Sequence, residues 1–188
     1  MFIETENTPN PATLKFRPGC RVTGDGLTAD FASAAAAQGR SPLVEALFAI
    51  DGVTGVFLGA DFISVTKSDL SDWADLKPAI LTEIASALTH GTPVLLSKGE
   101  EQAYEVAEQD REVVARIREL LDTRVRPAVA GDGGDIVFRG YQDGVVRLSM
   151  QGACAGCPSS RATLKHGVEN MLRHYVPEVK EVEQVEMS

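Results

Sequence analysis

Apolar residues recur along this chain with two different periods, and the changes of period mark out its elements. Phe2 to Glu6 and Ala12 to Phe16 read as short strands joined by a turn at Pro9-Asn10-Pro11. Asp30 to Gly39, with four alanines in a row from Ala34 to Ala37, fits a helical turn and a loop equally. Ser41-Pro42 then starts a helix, with Ser as cap and Pro in the first helical position. Val44, Leu47, Phe48 and the following Ile50 give it a buried face, and Gly52 closes it. Val53 to Leu58 and Phe62 to Thr66 form a hairpin around Gly59-Ala60-Asp61. Trp73, Leu76, Ile80, Ile84 and Leu88 return to helical spacing. Pro78 would cost that helix a hydrogen bond, so its regular part is expected to begin close to the proline.

The pattern lapses after His90-Gly91 and Pro93, and Ser97 to Gln102 is polar and without period, as a solvated connector would be. A helix can restart near Glu105. Val113, Val114, Ile117, Leu120, Leu121 and Val125 form an amphipathic helix expected to end at Pro127. Gly131-Asp132-Gly133-Gly134-Asp135 reads as a tight turn into a strand, although an anion or metal loop would use the same residue types. Ile136 to Arg139 and Val145 to Met150 alternate as two strands about Asp143-Gly144, a type I′ hairpin signal. Leu164, Val168, Met171, Leu172 and Tyr175 carry a further helix with Pro158 in its first turn, and Val179 to Val185 can add a last strand. The expected fold class is therefore α+β in two small domains. The first, residues 1–92, has a mixed, mostly antiparallel sheet and two helices. A linker spans 93–107, and residues 108–188 run α-β-β-α-β.

Charge sharpens this division. The 188 residues carry a formal net charge of -9, but residues 1–90 hold 6 Lys/Arg against 11 Asp/Glu, and residues 111–188 hold 11 of each. The acidic excess thus belongs to the first domain and the linker. It disfavours nucleic acid or an anionic membrane surface as partner, and no apolar run approaches the roughly 20 residues of a membrane helix. The first residues show no targeting signal, and three cysteines are too few and too odd in number for a disulfide framework. A reduced, cytoplasmic chain is expected.

The chemistry concentrates at Cys154-Ala155-Gly156-Cys157, on a strand-to-helix loop. Two intervening residues let both sulfurs turn toward one metal centre, and a helix start favours thiolate and anionic clusters. The flanking Gly152, Ala153, Ala155 and Gly156 leave the loop little cover. Three uses compete. A dithiol–disulfide oxidoreductase places its pair similarly, but only 31 residues follow Cys157, too few for the rest of a thioredoxin sheet. Structural zinc needs four ligands, and His166 and His174 lie away from the loop within a helix. An iron–sulfur cluster is the third, completed if a two-fold axis brings two such loops together. Cys20, with no second sulfur nearby in sequence, reads as incidental, and neither half shows the acid–base or nucleophile set of an enzyme.

At this point a family resemblance becomes specific. Leu120 to Pro127, Asp132-Gly133-Gly134-Asp135 and Gly152 to Ser160 resemble the C-terminal domain of NifU, shared by Nfu-type proteins. Thr8 to Phe16, Arg40-Ser41-Pro42-Leu43 and Gly59 to Ile63 resemble the N-terminal Nfu domain, in the same order along the chain. The resemblance implies a non-enzymatic carrier or late scaffold in iron–sulfur assembly. It further implies a [4Fe-4S] cluster bridged between the subunits of a homodimer by Cys154 and Cys157, with [2Fe-2S] or zinc as alternatives. Apo iron–sulfur proteins would receive the cluster, an upstream scaffold would supply it, and neither nucleic acid nor membrane would take part. The expected compartment is the bacterial cytoplasm, or the mitochondrial matrix for a mature eukaryotic form.

Overall fold

The strands of the first part of the chain assemble as a five-stranded sheet. The structure, a computed structural model, describes residues 1–24, 27–96 and 105–186, with the Ser160 side chain left aside. The chain divides into two compact units, residues 1–100 and 101–188. In the first, β1 (Glu4–Asn7), β2 (Thr13–Arg17), β3 (Ala29–Phe31), β4 (Val53–Leu58) and β5 (Ile63–Lys67) lie in the order β1-β2-β5-β4-β3. Among the described residues every strand pairing of this sheet is antiparallel, so the sheet expected to be mixed is not. Leu14, Phe16, Phe31, Leu58, Ile63 and Val65 form the buried face.

Among the described residues three helices meet that core, one more than expected: α1 (Ala34–Ala37), α2 (Pro42–Phe48) and α3 (Trp73–Thr89). The alanine run resolves as the single turn α1, capped by Ser33. Ser41 caps α2 as its position predicts, its hydroxyl accepting from the Val44 N–H at 3.2 Å. Pro78, however, lies inside α3, which begins five residues earlier at an Asp72 cap. The lost bond would have gone to the Ala74 carbonyl; Ala74 and Pro78 are both exposed, so water can take the donor's place. Leu76, Ile80 and Ile84 still bury one stripe.

In the second unit a 3-10 turn (Glu108–Asp110) leads into α4 (Arg111–Leu120), a π-turn (Leu121–Val125) and α5 (Arg126–Gly131). Helix therefore resumes a few residues after Glu105, and the polar stretch Ser97 to Gln102 of the expected linker lies outside the described residues. The helix also passes through Pro127 instead of ending there. The Arg126 N–H bonds back five residues to the Leu121 carbonyl, and the wide turn so formed makes room for the proline at the start of α5. Ile117, Leu121, Val125 and Val129 are all buried at steps of four. In a regular helix such a stripe drifts by about 40° per step, and the π-turn takes up part of that drift.

The strands β6 (Gly134–Gln142), β7 (Val145–Gly152) and β8 (Glu181–Gln184) form a sheet in that order. β6 and β7 are antiparallel about Asp143-Gly144, whose φ values of 52° and 86° are those of the expected type I′ turn. β8 runs parallel to β7, reached through α6 (Pro158–Tyr175) as crossover. The α+β class and the α-β-β-α-β order are thus observed. Ile117, Ile136, Leu148, Leu172 and Val182 centre the core between helices and sheet.

Candidate iron–sulfur half-site

β7 ends and α6 begins with five residues between them, and both cysteines of the motif sit in that connection. Gly152 pairs with Gly134 across the β6–β7 ladder, and Gly152 has a φ of 67°, which turns the chain away from the sheet. The Ala153 N–H donates to the Gly133 carbonyl at 3.2 Å, tying the loop to the turn that precedes β6. Cys157 occupies the cap position of α6, with Pro158 next in the first turn. The strand-to-helix placement read from the sequence is the one observed.

The two sulfurs have different surroundings. Cys154 is 6% exposed and belongs to the hydrophobic core, whereas Cys157 is half-buried with its Sγ 3.2 Å from the Ser159 hydroxyl. The expectation that the helix start favours thiolate fails for Cys154. Burial first, then the nearby carboxylates of Asp132 and Asp135, push its thiol up to about 11. A thiol whose folded value lies above its unfolded one helps the fold below about pH 9. That help is lost as pH rises through about 11. Iodoacetamide at pH 8 is therefore expected to modify exposed Cys20 and half-buried Cys157 well before Cys154, as peptide mass mapping against time would show. Equal rates at Cys154 and Cys157 would contradict the buried placement.

A glycine and an ion pair hold this arrangement. A Cβ on Gly134 would collide with the Gln151 carbonyl and come within 3.0 Å of Cys154 Sγ, so β6 can approach the cysteine loop only without a side chain there. Next to it Asp135 is 3% exposed and receives a bidentate fork from Arg126, with Nε 2.9 Å from Oδ1 and Nη2 2.8 Å from Oδ2. Oδ1 also accepts from the Ile136 N–H at 2.8 Å, and Arg126 reaches Asp122 at 3.2 Å. The pair joins α5 to the first residues of β6, where Asp135 stands opposite Gln151 of β7. The Asp-Gly-Gly-Asp stretch is thus a turn, as the sequence favoured, and it supports the cysteines structurally. Neither Gly134 nor the Arg126–Asp135 pair was singled out as supporting the site; their nine-residue separation across a glycine turn was the signal available.

His166 and His174 are exposed on α6, and His174 stands edge-on to Tyr175 with ring centroids 4.9 Å apart. Among the described residues no group of three or more His, Cys, Asp or Glu side chains could hold a metal ion. The two thiols thus stand at one loop with no third such donor beside them among the described residues.

Known proteins decide the kinship. Residues 3–91 match the family model described as "Scaffold protein Nfu/NifU N terminal", and residues 117–183 match the "NifU-like domain". This chain belongs to the Nfu/NifU-like family. It is 51% identical over 185 residues to the "NFU1 iron-sulfur cluster scaffold homolog, mitochondrial" of Drosophila ananassae, covering 98% of this chain and 64% of the relative. The protein of the same name in Drosophila sechellia is 52% identical, with 98% and 65% covered. The chain thus spans a little under two thirds of the length of these relatives. Among solved structures, the solution structure of a NifU-like protein from Saccharomyces cerevisiae aligns with 52% of this chain and 86% of its own, at 23% identity and a TM-score of 0.44. A crystal structure of a Staphylococcus aureus protein aligns with 45% of this Nfu/NifU-like chain and 99% of its own, at 24% identity and a TM-score of 0.39.

Proposed function

We propose that this chain is a carrier or late scaffold for iron–sulfur clusters, with the cluster as its cargo and Cys154 and Cys157 as its ligands. In this reading two copies meet at their cysteine loops, hold one [4Fe-4S] cluster between them with two thiolates each, and pass it to apo iron–sulfur proteins. The observation that carries the reading is the isolated thiol pair on the β7–α6 loop, soft donors suited to iron and too few to complete a site alone. Membership of the family and the relatives' scaffold names support it. A reducing compartment suits such a pair: the bacterial cytoplasm, or the mitochondrial matrix, the relatives' names being mitochondrial. No described helix is long and apolar enough to cross a membrane. The acidic first unit, a separate domain in this reading with its boundary in 93–107, is left to recognise donors and recipients.

A dithiol–disulfide oxidoreductase is the weaker reading. An attacking thiol works best with a pKa near ambient pH, and Cys154 lies well above it. Anaerobic reconstitution with iron and sulfide tests both. The expected product is a dimer by native mass carrying about four iron and four sulfide per two chains. A cluster that stays with a monomer would refute bridging. Two iron and two sulfide per dimer would replace [4Fe-4S] by [2Fe-2S], and catalytic disulfide reduction without cluster uptake would select the rival.

A further inference from the structure

We infer that the two ligands of this half-site have separate duties: Cys154 retains the cluster, Cys157 is exchanged first, and Ser159 is the positioning residue that eases Cys157 from the iron. The inference rests on the reading that these cysteines hold a cluster and adds the order in which they let go. Its basis is the asymmetry of the loop. Cys154 is 6% exposed, packed among core residues and against the backbone at Gly134, so an incoming thiol cannot reach its iron–sulfur bond from the protein side. Cys157 is half-buried, follows the exposed Gly156 and precedes the exposed Pro158 and Ser159, so solvent and a recipient's sulfur reach it directly.

Ser159 sits one turn-position into α6 with its Oγ 3.2 Å from Cys157 Sγ. In the free protein either group can donate. Once the sulfur binds iron it has no proton, and only the hydroxyl can. Such a bond is stronger to a departing thiolate, which carries a full charge, than to one that shares its charge with iron. It therefore stabilises the departing state more than the bound one and speeds release.

The step balances without a redox partner. A recipient thiol approaches, the iron–sulfur bond to Cys157 breaks with its electron pair remaining on the sulfur, and a bond from iron to the recipient sulfur forms. The recipient's proton ends on Cys157, which leaves as a thiol. The cluster keeps its electrons. Cys154 follows only after the loop has lost its first attachment, so the cluster is never released to solvent.

The test compares the full chain with its Ser159→Ala and Ser159→Thr variants, each loaded anaerobically and then challenged with dithiothreitol as the small-thiol acceptor. All three are expected to load the same iron and sulfide, since Ser159 is no ligand and is exposed. Ser159→Ala is expected to lose cluster about tenfold more slowly, from visible circular dichroism. Its reduction potential is expected to fall, because a hydrogen bond to a ligand sulfur is gone. Ser159→Thr keeps a hydroxyl and should restore both values. Alkylation of the wild type part-way through exchange should label Cys157 before Cys154. Wild-type rate and potential in Ser159→Ala, or first labelling at Cys154, would overturn the inference while leaving cluster carriage intact. Failure of the wild type to load any cluster would overturn the carrier reading and this one together.

Discussion

Cys154→Ser and Cys157→Ser are each expected to cut cluster content to about a tenth or less of wild type and to leave the protein monomeric after reconstitution. A bridged cubane drawing one thiolate from each chain has two of its four ligands, and a neutral hydroxyl does not replace a thiolate on iron. Both variants should still fold. Serine matches cysteine closely in size, and at buried Cys154 the added cost is that of a more polar group, about 1 kcal/mol. Far-UV circular dichroism and thermal melting check the fold, while iron, sulfide and native mass read the site. If either variant kept a wild-type cluster, the ligand assignment would be wrong.

Arg126→Ala carries the largest expected effect on stability. It withdraws two charge-assisted bonds from an Asp135 carboxylate that is 3% exposed, and a buried charge deprived of its counter-charge costs about 3 kcal/mol. Arg126→Lys retains the charge but not the planar fork, so an intermediate loss is expected. The lone tryptophan, Trp73, lies in α3 of the first unit and reports on that unit. In urea, the Trp73 fluorescence transition should therefore stay in place while a far-UV circular dichroism component moves to lower concentration. A shift of both transitions together would show that the units unfold as one. Because the pair fixes β6 beside the cysteine loop, cluster uptake by the variant should also slow.

Where one residue dictates local geometry, the structure was legible from the sequence. Ser41-Pro42 starts its helix, Asp143-Gly144 makes its hairpin, and the cysteine pair falls between strand and helix. Among the misreadings were the two prolines inside helices, which fail for opposite reasons. At Pro78 the exposed position leaves water free to replace the missing donor, and at Pro127 the helix widens before the ring arrives. Both depend on what surrounds the proline, which local propensity does not contain. The asymmetry of Cys154 and Cys157 was hidden for the same reason. Sequence places them as equals three positions apart, and only packing against β6 and the two aspartates separates them.

Gly134 bears on how such sites are found. Alanine scanning assumes that each substitution subtracts a side chain and that lost activity names the group removed. At Gly134 the scan adds an atom, where the Gln151 carbonyl and the Cys154 sulfur already stand. A dead Gly134→Ala would be scored as a missing contact although it is a collision. What this position contributes is vacancy, a property no deletion can probe.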